Sequence, residues 1–256
     1  MTYYLAESIG ELPTVNLGCG AFCTFNYTTL IVSAISIALT LLILGLIARR
    51  LSSGTPGKLQ MVIELLYNYV SSLVRESVAE DAGFIIPLAM TIFLFILIAN
   101  WIDFFPLDAV GGLHPANSDI NQAAAMAVVV ILMVQGYSIK VLGFKGYLRR
   151  FTRPFDMHWA VRAVYTPLNI LEEVVKPVTL SLRLFGNIFA GVVMVLLITI
   201  LLGSVPVVGT FALAPAVLVA WKFFDVFFVG TIQAFIFMLL TVMYFGMARE
   251  GLIDHH

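Results

Sequence analysis

Five stretches of the chain stay apolar for about twenty residues or longer: 27–48 (YTTLIVSAISIALTLLILGLIA), 84–102 (FIIPLAMTIFLFILIANWI), 121–142, 184–202 and 211–247. About 20 such residues carry a helix across the roughly 30 Å of bilayer hydrocarbon. Lipid offers the backbone no hydrogen-bond partners, so only helices and closed barrels cross it. Barrel strands alternate apolar and polar residues, and these runs do not alternate. Composition points the same way. Charged residues are 11% of the chain and hydrophobic ones 61%, where a soluble domain is about 25% charged. The expected fold is an all-α membrane protein with five crossing helices.

The placement of basic residues orients it. Arg49, Arg50 and Lys58 follow the first run, and Lys140, Lys145, Arg149, Arg150, Arg153 and Arg162 cluster after the third. Residues 1–26 and 103–119 contain no Lys or Arg. By the positive-inside rule the N-terminus is outside and the C-terminus, with Arg249, is cytoplasmic. The first residues, MTYYLAESIGELPTVN, lack the basic start and apolar core of a signal peptide. Residues 1–26 are expected as an extracytoplasmic tail and 27–256 as one helical membrane domain. Cys19 and Cys23, in that tail, are two free thiols or one disulfide. Residues 57–80 show Met61, Leu65, Leu66, Tyr69 and Leu73 at helical spacing, opposite Glu64, Asn68, Ser72 and Arg75. That pattern predicts an amphipathic helix on the cytoplasmic face, turned either to lipid or to protein.

The last two helices are expected at about 164–202 and 211–249. The first would be about 58 Å long at 1.5 Å per residue, so it must tilt steeply. The short turn GSVPVVG makes the two an antiparallel hairpin. Arg183 falls near the middle of one and Gln233 near the middle of the other. Lys176, Thr179, Arg183 and Asn187 form a polar stripe, with the small residues Gly186, Ala190 and Gly191 alongside. Two readings of Arg183 stand at this point. It is either a flanking cation snorkelling to the interface or a cation held within the bilayer.

Two segments break the tie. KPVTLSLRLFGNIFAG (Lys176–Gly191) and IQAFIFMLLTVMY (Ile232–Tyr244) resemble the two signature stretches of subunit a of F-type ATP synthases, in the same order and on the last two helices. SDINQAAAMA (Ser118–Ala127), Asn100 and Pro106 add to the likeness. The resemblance implies a non-catalytic subunit of a hetero-oligomeric complex in a bacterial-type plasma membrane, multi-pass, with no cofactor, no metal and no nucleic acid. Its partners would be a ring of c subunits, each with one membrane carboxylate, and peripheral-stalk b subunits. The long hairpin would lean on that ring and provide two proton half-channels. Arg183 would be the coupling cation between them. A guanidinium stays protonated, so it relays no proton itself. It holds a passing carboxylate ionised, typically lowering that group's pKa by about 1–3 units.

Asn187 and Gln233 match the family motif as polar partners on the proton path; otherwise they are helix–helix hydrogen-bonding groups. Family members often carry an acid soon after FAG, but here Val192 and Val193 follow. Asp225, the one acid inside the final apolar run, is the candidate replacement on the path; the alternative is an ion pair with Lys222 three residues before it. Glu172, Glu173 and Lys176, on the cytoplasmic side of Arg183, are candidates for the outward path or solvated interface charges. Asp119 with Gln122 fits a helix N-cap box as well as a channel position. His114, Asp108 and His158 read as loop or interface residues. SGTPGKLQ (53–60) has the wrong glycine spacing for a phosphate loop and no Ser or Thr after Lys58. The competing function is a stand-alone channel or secondary transporter with a buried arginine, but the paired, broken helices of transporter repeats do not appear in the sequence.

Overall fold

The protein is described by a computed structural model covering residues 14–16, 24–50, 57–78, 83–105, 119–152, 159–203 and 213–249. Cys19, Cys23, Asp108, His114, His158 and the turn residues 204–209 lie outside the described residues. The chain is nearly all helical. Its only paired strands among the described residues are two short ones, β1 (Thr14–Asn16) and β2 (Thr24–Asn26), which run antiparallel with Val15 opposite Phe25. That small pair was not legible in the N-terminal sequence.

Seven helical pieces follow: α1 (Tyr27–Arg50), α2 (Lys58–Ser77), α3 (Ile85–Ile102), α4 (Ile120–Thr152), α5 (Trp159–Gly203), α6 (Ala214–Phe223) and α7 (Gly230–Met247). A six-residue π segment, Phe224–Val229, joins α6 to α7 in one rod. Among the described residues, five helices are long and apolar enough to cross a membrane: Thr28–Arg49, Ile85–Ile102, Ile120–Leu148, Thr166–Leu202 and Ala214–Met247. The protein is a multi-pass helical membrane protein.

The helix ends have physical causes. The third crossing breaks at Gly143, where φ is 70° and ψ 162°, a region essentially restricted to glycine. Helix then resumes to Thr152, further than the apolar run alone implied. In α5, Pro167 and Pro177 sit inside 45 helical residues, about 68 Å at 1.5 Å each. The rod α6–π–α7 departs from the uniform helix expected over 211–249, because one residue more than an α-helix accommodates is absorbed in the π segment.

Helix α3 is apolar on every side and packs against α7, α1 and α2, while α4 packs most extensively on α5. The core runs through Val74, Ile85, Ile96, Leu184, Phe237 and Phe245. Within lipid such a core is held by close van der Waals packing more than by exclusion of water. Small residues allow the closest crossings. A Cβ on Gly246 would come within 2.9 Å of the Ser77 carbonyl oxygen, where α7 crosses α2.

The packed side of α2 differs from the one its spacing predicted. Val70, Val74 and Val78 are buried, with Leu66 and Leu73 beside them. Met61, Leu65 and Tyr69 remain exposed. The valines recur every four residues, and that ridge docks on α3 and α7. The helix therefore meets protein on one side and keeps a second apolar side outward. Arg249 Nη1 donates to the Val78 carbonyl at 3.0 Å, satisfying a carbonyl at the end of α2.

Candidate functional site

Arg183 lies 17 residues from one end and 19 from the other of the membrane-length stretch Thr166–Leu202. Its neighbours Leu180 and Leu184 are fully buried against the bundle, whereas Arg183 and Leu182 are on the exposed side of α5. Among the described residues, no carboxylate lies within ion-pair reach of the guanidinium. An arginine so placed presents its five N–H donors on the exposed side of α5.

Further along α5 a narrow cleft with an internal volume of about 10 Å3 opens between α3, α5 and the last rod. Ala99, Asn100, Asp103, Asn187, Ile188, Asp225, Val226 and Gly230 line it. Asp225 reaches across to Gly191, so closely that a Cβ on Gly191 would collide with its carboxylate. The carboxylate thus occupies the space beside the residue preceding Val192. Lys222 does not form the ion pair with Asp225 that its spacing allowed. Its ammonium pairs with Asp103 at 2.6 Å instead. Asn100 Nδ2 donates to the Gly230 carbonyl at 3.0 Å, and Trp101 Nε1 to Thr231 Oγ1 at 3.3 Å. Asn187 lines the same cleft. Gln233, 6% exposed, buries its amide nitrogen without a hydrogen-bond partner. From the Gly191–Asp225 contact, equal steps of eight residues lead back to Arg183 on α5 and on to Gln233 on α7.

On the opposite side of Arg183, Glu173 is held between helices. Lys176 Nζ donates to its Oε1 at 2.9 Å and Gln135 Nε2 of α4 to its Oε2 at 2.7 Å. Lys176 also pairs with Glu172 at 3.6 Å, and the Glu172 side chain is 64% exposed. Asp119 caps α4: its Oδ1 accepts from the Asn121 N–H at 2.9 Å, as an N-cap should. The reciprocal half of the expected box is missing. Gln122 instead accepts from Ser33 of α1, and Thr29 Oγ1 donates to Asp119 at 3.4 Å.

The structure therefore gathers Asn187 and Asp225 into one cleft, puts Glu172, Glu173 and Lys176 in a separate cluster, and leaves Asp119 at the α1–α4 contact. Asp103 and Lys222 were not singled out together beforehand. Lys222 is the lone cation of an apolar stretch of 34 residues, and Asp103 closes the run ending in ANWID. Two opposite charges in separate apolar runs are expected to find each other.

Residues 30–246 match the family described as ATP synthase A chain. The chain is 34% identical over 256 residues to an ATP synthase subunit a of Shewanella sediminis (strain HAW-EB3), covering 96% of this chain and 94% of that one. It is 36% identical over 243 residues to that of Coxiella burnetii (strain CbuG_Q212), covering 91% and 88%. To the subunit a of Acidothermus cellulolyticus it is 37% identical over 239 residues, covering 91% and 82%.

Proposed function

Because the chain belongs to the ATP synthase A chain family, we propose that it is the stator of the membrane sector, coupling proton flow to rotation of a c-subunit ring. The observation that carries this reading is Arg183: mid-helix, exposed and without a carboxylate partner among the described residues. A ring carboxylate supplies the missing charge. The arginine keeps that carboxylate ionised as it passes and, being unable to give up its own proton, blocks a direct leak.

Two half-channels then end on either side of Arg183. The outer one runs through the cleft, with Asp225 as the proton-exchanging acid in place of the one absent at Val192. Asn187 and Gln233 are the polar groups next to the arginine, and Asp119 is a cap at the outer rim. The inner one passes Glu172, Glu173 and Lys176. The N-terminus lies outside and the C-terminus in the cytoplasm of a bacterial-type plasma membrane, with peripheral-stalk b subunits holding the stator. Each proton delivers about 2.3 kcal/mol per 100 mV, and the subunit itself makes and breaks no covalent bond beyond proton transfer.

Arg183→Lys is expected to abolish proton-driven ATP synthesis by the assembled complex in inverted membrane vesicles. A lysine keeps the charge but is a compact ammonium that loses its proton readily when desolvated. Near-normal synthesis by the Arg183→Lys complex would overturn the reading.

A further inference from the structure

The last rod is not one α-helix. The Gly230 N–H bonds to the Asp225 carbonyl, five residues back, where an α-helix would reach four. Residues five apart on an α-helix differ by about 140° around the axis. Yet Asp225 and Gly230 line the same cleft. Absorbing one residue makes those five cover the rotation of four, leaving about 40° between them.

A second observation needs the same correction. Lys222 and Gly230 both meet α3, at Asp103 and Asn100, which are three residues apart and so share one helix face. Eight residues separate Lys222 from Gly230, about 80° apart around an α-helix. With one residue absorbed the offset falls to about 20°. Gly230 is fixed in place, since a Cβ there would lie 3.1 Å from Asn100 Cβ. Lys222 is fixed by its 2.6 Å ion pair. Asp225 sits between these anchors and faces Gly191.

We propose that the π segment Phe224–Val229 is a positioning element that sets the angular register of the outer half-channel, turning Asp225 into the cleft while Lys222 and Gly230 stay seated on α3. Were the same residues wound as plain α-helix, holding Gly230 in place would swing Asp225 by about 100° out of the cleft. The same correction brings Asp225 and Gln233, also eight residues apart, to within about 20° of one face. The functional part of this inference rests on the proton path proposed above; its geometric part does not.

The test uses the assembled complex with Cys19→Ser and Cys23→Ser. Asp225 Cγ lies 3.1 Å from the Cβ position of Gly191, which puts the two Cβ atoms within reach of a disulfide. Gly191→Cys should crosslink on oxidation with Asp225→Cys and not with Phe224→Cys or Val229→Cys. Deleting Phe228 should convert the rod to plain α-helix and leave Asp225 on the cleft side. That complex should keep its 191–225 crosslink and, with the native Asp225, pump protons within about threefold of the parent. Deleting Ile232, outside the π segment, should lose roughly 100-fold in pumping through misregister. Crosslinking from 224 or 229 in place of 225, or loss of the 191–225 crosslink on deleting Phe228, would overturn the proposal. The crosslink pattern in the full-length chain stands as a test even where the shortened rod does not assemble. Asp225→Asn with unchanged pumping would instead remove Asp225 from the path and leave the crosslinks as they are.

Discussion

The two polar regions flanking Arg183 are built in opposite ways. In the outer cleft Asp225 is half-buried against Gly191, and the nearby cation, Lys222, is committed to Asp103 at 2.6 Å. In the inner cluster both oxygens of Glu173 are occupied, by Lys176 at 2.9 Å and Gln135 at 2.7 Å. A carboxylate that must gain and lose protons needs access to water and freedom from a fixed counter-ion. One held by a charge-assisted bond on each oxygen is kept in place. On the proposed proton path, exchange then falls to Asp225 and orientation to Glu173, with the exposed Glu172 beside it.

The largest expected effect tests that assignment directly. Asp225→Asn keeps the shape and removes the exchangeable proton, so proton translocation should fall about 100-fold or more while the c-ring still co-purifies. An unchanged rate would take the cleft off the path. Gly191→Ala should act next most strongly, because its methyl would displace the Asp225 carboxylate. Overpacking of this kind costs about 1–3 kcal/mol, so a roughly tenfold fall in pumping is expected. Gly186→Ala is the matched control, since a Cβ there meets nothing within 4 Å in this chain. A large effect at Gly186 would mean that another subunit packs against that spot.

These contrasts show what could be read from residues alone. Continuous apolar runs gave the five crossings, because in lipid the length of an apolar run nearly dictates a helix. Arg183, at the edge of one apolar run, and Gln233, inside another, fell near the midpoints of the two long helices, and spacing alone left Arg183 open as a flanking cation. Asp225 was found as an acid, but its surroundings were not. Spacing three residues from Lys222 suggested a local pair, whereas the cation crosses to Asp103, 119 residues earlier in the chain. Local periodicity has no access to such long-range partners. The π segment was illegible for a related reason: FDVFFV is apolar around the acid, and an extra residue shows only when both anchors on α3 are known. On α2 the spacing pointed to the side of Met61, Leu65 and Tyr69, whereas packing buries Val70, Val74 and Val78.

The Lys222–Asp103 pair should be worth less than the cleft contacts. Its side chains are 31% and 17% exposed, between the exposed pairs that give up to about 1 kcal/mol and the buried ones whose breaking costs about 3–5 kcal/mol. A double-mutant cycle with Lys222→Ala and Asp103→Ala, read from thermal unfolding of the detergent-solubilised complex, should return a coupling of about 1 kcal/mol. Zero coupling, with pumping intact, would mean that the rod is seated on α3 without the ion pair, through contacts such as Asn100–Gly230 and Trp101–Thr231.

The smallest effect is expected at the inner cluster. Gln135→Leu removes one of the two donors to Glu173 but leaves Lys176 in place, and an interhelical hydrogen bond in lipid is worth on average about 0.6 kcal/mol. Pumping should then fall only about threefold. Adding Glu172→Gln separates the two acids. If Glu172 carries the exchange and Glu173 only orients Lys176, the double variant drops well below either single one. If the double variant matches Gln135→Leu alone, the exposed acid is a solvated interface charge, and Glu173 would have to exchange protons despite both its bonds. The contrast drawn between the two sides of Arg183 would then fail.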